Sequence, residues 1–400
     1  MSKREGLIKA MESYFRAGCK EQISFGLEAE HFVVDARTKK AIPYKGADGV
    51  EGLLTEISPH FEEEICENGN LIGLRSEDAI ITLEPGSQLE VSVTQSADIA
   101  EIRAVYEKYF RIIEAALAKR GQALVTAGYQ PMSCVSDIAL IPKMRYAFMD
   151  EHFKHTGSMG INMMRGTASC QVSLDYTDEA DFTAKYRSAC IISPILALIT
   201  SNSPSFEGQA NDNPLIRTRI WNNVDSARAG ILTSAFEDDF SFRAYAEYVL
   251  NQTAIFEQRG DMLLKSERSA AEVLCEYDTA PDTDKMVTYM SLVFPDIRLR
   301  QYIEIRVADS MPIDKTIAYI TLIKGLFADA ANLNKWSRKL CKSKDDITAA
   351  QQNIMRSGAE AVVYGKPVML LIDELFGIAM PQLSKNEKEY IRKGFDTYEH

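Results

Sequence analysis

Four short segments of the chain alternate apolar and polar residues with a period of two, and carboxylates collect on their polar sides. They are residues 23–34, 79–93, 168–175 and 300–307. In the first, Phe25, Leu27 and Ala29 alternate with Gly26, Glu28 and Glu30, so a strand puts both acids on one face. Gln88, Glu90 and Ser92 oppose Leu89, Val91 and Val93, after a bend at Glu84, Pro85 and Gly86. Ser169, Gln171, Ser173 and Asp175 oppose Cys170, Val172 and Leu174; Tyr302, Glu304 and Arg306 oppose Ile303, Ile305 and Val307. Such segments specify an antiparallel sheet with one face on helices and the other lining a polar cleft, an α+β fold.

Helical periodicity is clearest over 97–120, 178–200, 239–251, 313–332, 345–364 and 385–398. No internal repeat or low-complexity linker interrupts the 400 residues, so the chain reads as one folded unit, 1–400, whose last part, 313–400, is mostly helical. Hydrophobic residues at 46% and charged residues at 26% supply an ordinary core and exclude disorder. A net charge of −12 repels phosphate backbones and anionic lipid, which argues against nucleic acid and membrane partners. The amino terminus has no signal-peptide pattern. The most apolar stretch, 189–200, is interrupted by Pro194 and falls short of the roughly 20 residues that span a bilayer. Seven scattered cysteines without zinc spacing predict reduced thiols and a cytoplasmic protein.

Charges on the outer face of a half-buried strand are usually just solvated. Here, however, Glu28, Glu30, Glu84, Glu90 and Glu304 are like charges that would repel one another in a shared cleft. Divalent cations relieve such repulsion, and all-oxygen ligands suit Mg²⁺ or Mn²⁺. The other common chemistries lack their motifs. There is no GxxxxGK[ST], no dinucleotide loop, no HExxH and no GxSxG. His152 and His155, three apart, read as a solvated helix face.

Six strings then occur in order: FGLEAEHF, LEPGSQLEVS, IPKMRYAFM, GSMGINMMRGTASCQVSLDYTDEAD, IRTRIWNNVDSARAG and YIEIRVADSMP. Running from about Phe25 to Pro312, they resemble the plant and proteobacterial type of glutamate–cysteine ligase, in the carboxylate–amine ligase family with a glutamine-synthetase-like fold. The resemblance implies a single catalytic domain. It would use ATP to join the side-chain carboxylate of L-glutamate to the amine of L-cysteine, through a γ-glutamyl phosphate, as the first step of glutathione biosynthesis.

Carried over residue by residue, the resemblance makes Glu28, Glu30, Glu84, Glu90 and Glu304 ligands of two or three Mg²⁺ ions. Glu304 and Arg306 become the catalytic pair, with Arg306 near the transferring phosphoryl group. Arg217 would grip the glutamate α-carboxylate, with Trp221, Arg228 and Arg165 also at the substrate. Gln171, with Arg306, would contact nucleotide. Arg306 also pairs naturally with Glu304, and Asp225 with Arg228 as a local ion pair three residues apart. Met163 and Met164 read as core filler. The chain departs from the family pattern at TASCQVSLD, at NNVDSAR after Trp221 and at Val307. The changes around Cys170 and the loss of acids after Trp221 bear on the acceptor pocket, so a ligase for another amine is one alternative; a catalytically silent glutamate- or nucleotide-binding relative is another.

Overall fold

The computed structural model describes residues 2–260, 262–276 and 283–395. Its centre is a nine-stranded sheet. The strands are β1 (Phe25–Asp35), β2 (Glu63–Glu67), β3 (Asn70–Arg75), β4 (Ala79–Leu83), β5 (Leu89–Ser96), β6 (Gln122–Val125), β7 (Ser169–Leu174), β8 (Ile297–Leu299) and β9 (Ile303–Asp309). Their spatial order is β8-β9-β7-β1-β5-β4-β3-β2, with β6 on the far end of β1, and every pairing is antiparallel.

The period-two pattern sets the faces as expected. Leu27, Ala29, Val91, Val93, Cys170, Val172, Ile303 and Ile305 are buried, on the side covered by helices Ile99–Lys119, Glu179–Ile199 and Ile313–Phe327. On the opposite face Glu30 stands across from Glu90, and Glu28 lies between Ser92 and Gln171. Like charges directly opposite each other destabilise a sheet, so something other than strand stability maintains this pairing.

The segment 79–93 is two strands joined by a tight turn, in which Ser87 N donates to the Glu84 carbonyl at 2.9 Å. Gly86 is required there, because a Cβ would sit 2.8 Å from the Arg165 carbonyl oxygen. Gln88 then ties the turn to the segment after Met163, donating to the carbonyls of Met164 at 3.2 Å and Thr167 at 2.9 Å. In β9 the simple alternation fails. Ile305 pairs with Val172 but Ala308 pairs with Cys170, so Arg306 and Val307 share the place opposite Gln171 in a bulge. Val307 packs in the apolar core and also lines a small chamber with Arg306.

The helices follow their start signals. Asp98 caps Ile99–Lys119, Asp178 caps Glu179–Ile199 and Ser241 caps Phe242–Asn251. Residues 313–332 do not form one helix: Ile313–Phe327 stops, and Asp329 caps a second, Ala330–Leu340. The stretch 345–364 is helical only to Ser357, where Gly358 at φ +53° ends it; 362–367 is a hairpin. The last helix is Lys385–Gly394, and 396–398 lie outside the described residues.

Helix Glu179–Ile199 continues through Pro194 and, by length and composition alone, could cross a membrane; 78% of its apolar window is buried inside the protein. Proline removes the bond to the Cys190 carbonyl, and the Ser193 hydroxyl takes that oxygen at 2.9 Å. Tyr364, in the C-terminal hairpin, donates to the neighbouring Ile191 carbonyl at 2.7 Å. One continuous apolar core runs from Leu7 to Phe395.

Candidate active site

A cavity of about 250 Å³ opens on the polar face of the sheet. Glu28 and Glu30 of β1, Glu84 of the turn and Glu90 of β5 form its acidic floor. Facing them are Lys143, Arg145, Arg217, Arg298, Arg300 and Arg306, with Tyr146, Trp221 and Phe294 also on the wall. A chamber holding both signs of charge in low dielectric suits reactants that are anions bridged by cations.

The acids are strained electrostatically. Burial pushes Glu28 up to about 8, with Glu304 and Glu90 adding to it. Burial and Glu84 raise Glu30 to about 7, although the Ser169 N–H donates to it at 2.7 Å and Gln171 at 3.0 Å. Glu90 rises to about 8 through burial, Glu84 and Glu30, despite hydrogen bonds from Thr82 at 2.9 Å and Ser92 at 3.0 Å. Each carboxylate thus disfavours the ionised form of the next, the repulsion that a hard divalent cation relieves. The oxygen-only donor set of Glu28, Glu30, Glu84 and Glu90 fits such an ion. In the described residues no three acidic, histidine or cysteine side chains converge as a ready metal centre.

Glu304 behaves differently and stands apart from this floor. It is 1% exposed and absent from the cavity wall. Arg298 engages both its oxygens, at 2.7 and 3.0 Å, and Arg306 takes one at 2.7 Å. Burial alone would raise its carboxyl, but the two guanidiniums bring it down to about 2. The ion pair Glu304–Arg306 anticipated from adjacency is therefore present, and Glu304 holds the arginines in place.

Arg306 projects into the cavity from the bulge, bonded to the Gln171 amide oxygen, with its guanidinium carbon 6.0 Å from the Trp221 ring centre. Gln171 is fully engaged as a link between Glu30 and Arg306. Arg217 reaches the wall from helix Ile216–Trp221 and clamps the bulge, donating to the carbonyls of Arg306 at 3.0 Å and Ala308 at 3.2 Å. Its Nε, like Trp221 Nε1, is buried without a hydrogen-bond partner among the described residues.

Two expected substrate residues lie elsewhere. Arg228 is 2% exposed and makes a 2.7 Å ion pair with Asp225. Its other nitrogens bond the carbonyls of Leu292 and Thr253, both at 3.0 Å, so it is an internal brace off the cavity wall. Arg165 likewise turns away, to Asp150 and the Ile138 carbonyl; its backbone, packed on Gly86, is what serves the site. His152 is half-buried and bonds Asp225 at 3.0 Å, whereas His155 is exposed. Met163 and Met164 are buried core and also touch the cavity.

Sequence reasoning missed Lys143, Arg145, Arg298 and Arg300. The last two extend the alternation of Tyr302, Glu304 and Arg306 upstream, a period-two signal present in RLRQYIEIR. Lys143 and Arg145 sit at the start of helix Met144–Thr156, within IPKMRYAFM, and carried no pattern of their own. Burial depresses the Lys143 amine.

A sheet floored with carboxylates and walled with guanidiniums suits anionic reactants, and the sequence comparison makes the chain a carboxylate–amine ligase. The chain belongs to the glutamate–cysteine ligase family 2, whose profile matches residues 24–367. Among curated relatives, the chloroplastic glutamate–cysteine ligase of Arabidopsis thaliana is 29% identical over 88% of this chain and 67% of its own length. That of Brassica juncea is 30% identical over 88% of this chain and 68% of its own. The chain thus spans about two thirds of those relatives. The crystal structure of glutamate–cysteine ligase from Francisella tularensis in complex with AMP superposes with a TM-score of 0.50 at 12% identity, over 95% of this chain and 83% of that one, and shares the fold. The expected cytoplasmic location is corrected by these relatives, which are chloroplastic. All seven cysteines are free, but free thiols suit any reducing compartment and never singled out the cytoplasm.

Proposed function

We propose that the cavity joins the γ-carboxylate of L-glutamate to the amine of L-cysteine at the expense of ATP. A carboxylate oxygen attacks the γ-phosphorus of ATP and ADP leaves. The cysteine nitrogen then attacks the acyl carbon, phosphate departs with that oxygen, and the amine loses a proton. The observation that carries this reading is the juxtaposition of Glu28, Glu30, Glu84 and Glu90, buried or half-buried, with six cationic side chains in one chamber. Every reactant before the amine is an anion, so positioning and charge neutralisation are the main tasks.

Glu28, Glu30, Glu84 and Glu90 would hold Mg²⁺, which when bound supplies neutralisation of phosphate charge. Arg306, fixed by Glu304, Gln171 and the bulge, stabilises charge developing on the transferring phosphoryl group. Arg217 keeps an unpartnered Nε–H for the substrate side of the site. The C-terminal helices share the core of the sheet, which supports a single catalytic unit over 1–400.

Purified protein given ATP, Mg²⁺ and glutamate should release ADP only when cysteine is added, and yield a product of γ-glutamylcysteine mass. Glutamate-dependent ADP release that ignores cysteine would contradict the acceptor assignment.

A further inference from the structure

Beside the bulge lies a small chamber of about 20 Å³, lined by Arg217, Trp221, Asp296, Arg306 and Val307 among others. Its volume is that of a single water site. Asp296 brings the one carboxylate on this wall, facing two guanidiniums that repel each other. Its backbone also grips the bulge, because Arg306 N donates to the Asp296 carbonyl at 3.0 Å, while Asp296 N is held by the Gly230 carbonyl at 2.9 Å.

The Asp296 side chain is tethered from outside the sheet. Gln351, on helix Lys344–Ser357, donates from its side-chain amide to the carboxylate at 3.3 Å, and its amide Oε1 accepts from the Asn222 side chain at 3.0 Å. Asn222 directly follows Trp221 and ends the helix that carries Arg217. The chain Asn222–Gln351–Asp296 therefore joins a C-terminal helix to the chamber wall that Arg217 and Arg306 share. Asp296 faces both guanidiniums across the chamber with no ion pair or hydrogen bond to either among the described residues; burial pushes its carboxyl up, and the charges of Arg217 and Arg306 pull against that. Arg306 otherwise shares Glu304 with Arg298, so two guanidiniums lean on that single acid.

Resting on the ligase reading for the role of Arg306, we infer that Asp296 is a positioning residue. Held by Gln351, its charge faces the Arg217 and Arg306 guanidiniums across the chamber while its carbonyl holds the Arg306 backbone, which orients both arginines and leaves the front of Arg306 to the transferring phosphoryl group. Neither Asp296 nor Gln351 touches the reactants.

The test compares Asp296→Asn and Gln351→Ala with the parent protein. Asp296→Asn should lower kcat about 10-fold to 100-fold while KM for ATP and glutamate stays within about 3-fold, because the lost interaction acts on the transition state. Gln351→Ala should give a smaller loss of the same kind. A second readout is independent of turnover: in a Trp336→Phe background, Trp221 emission reports the guanidinium lying over its ring. Asp296→Asn should shift that emission and raise its quenching by acrylamide, with the far-UV circular dichroism unchanged. A kcat within twofold, a loss confined to KM, a loss that tracks unfolding, or unaltered Trp221 emission would overturn the inference. A parent protein that never turns over would sink the ligase reading, and the Trp221 measurement would still decide this one.

Discussion

Replacing Glu28 by glutamine should stabilise the metal-free protein at the pH where it destroys activity. The Glu28 carboxyl ionises near 4.5 in an unfolded chain and near 8 in the fold, raised by burial and then by Glu304 and Glu90. Between those values the native state binds more protons than the unfolded one, so stability falls as pH rises. At pH 7.5 the gap is three units, a ceiling of about 4 kcal/mol at about 1.4 kcal/mol per unit. Titration shared with Glu90 and Glu304 brings the expected gain to about 2 kcal/mol. Urea unfolding in EDTA measures it. Glu28→Gln should match the parent protein near pH 4.5 and exceed it by about 2 kcal/mol at pH 7.5, and Mg²⁺ should narrow the difference by stabilising only the parent. A variant no more stable than the parent at pH 7.5 would refute the picture of mutually repelling buried acids.

Arg306→Ala should cut kcat by about 100-fold to 1,000-fold with a much smaller change in KM, as read by steady-state kinetics. Arg228→Ala should instead cost about 3 to 5 kcal/mol in urea unfolding, because it strands buried Asp225 and two carbonyls; KM for glutamate in the folded fraction should be unchanged. Binding of Mg²⁺ at pH 7 should release protons from Glu28 and Glu90, both raised to about 8, and calorimetry in buffers of different ionisation enthalpy should detect them.

The faces of the sheet were legible because a period of two has only one alternative register, and that register would have turned Leu27, Val91 and Val172 to the polar side. The acids of β1, the 84–88 turn and β5 therefore fell where their spacing put them. The bulge at Arg306 and Val307 was not legible, since it shows only in how β9 pairs with β7. Nor could residue type separate Arg217 from Arg228. Both are buried arginines near Trp221, and only the fold shows one on the cavity wall and the other spent on Asp225, Leu292 and Thr253. The break at Asp329 was hidden because apolar spacing carries on through it, and a capping side chain ended the helix instead. Location was beyond the reach of composition, since reduced cysteines describe a redox environment and not an address.

Joining a carboxylate to an amine in this cavity requires that the carboxylate be phosphorylated before the amine attacks. Glutamate labelled with ¹⁸O in its γ-carboxylate, turned over with ATP, Mg²⁺ and cysteine, tests it directly. One labelled oxygen should appear in the inorganic phosphate released, because the oxygen that attacks phosphorus leaves with it. Unlabelled phosphate accompanying a labelled product would contradict the account.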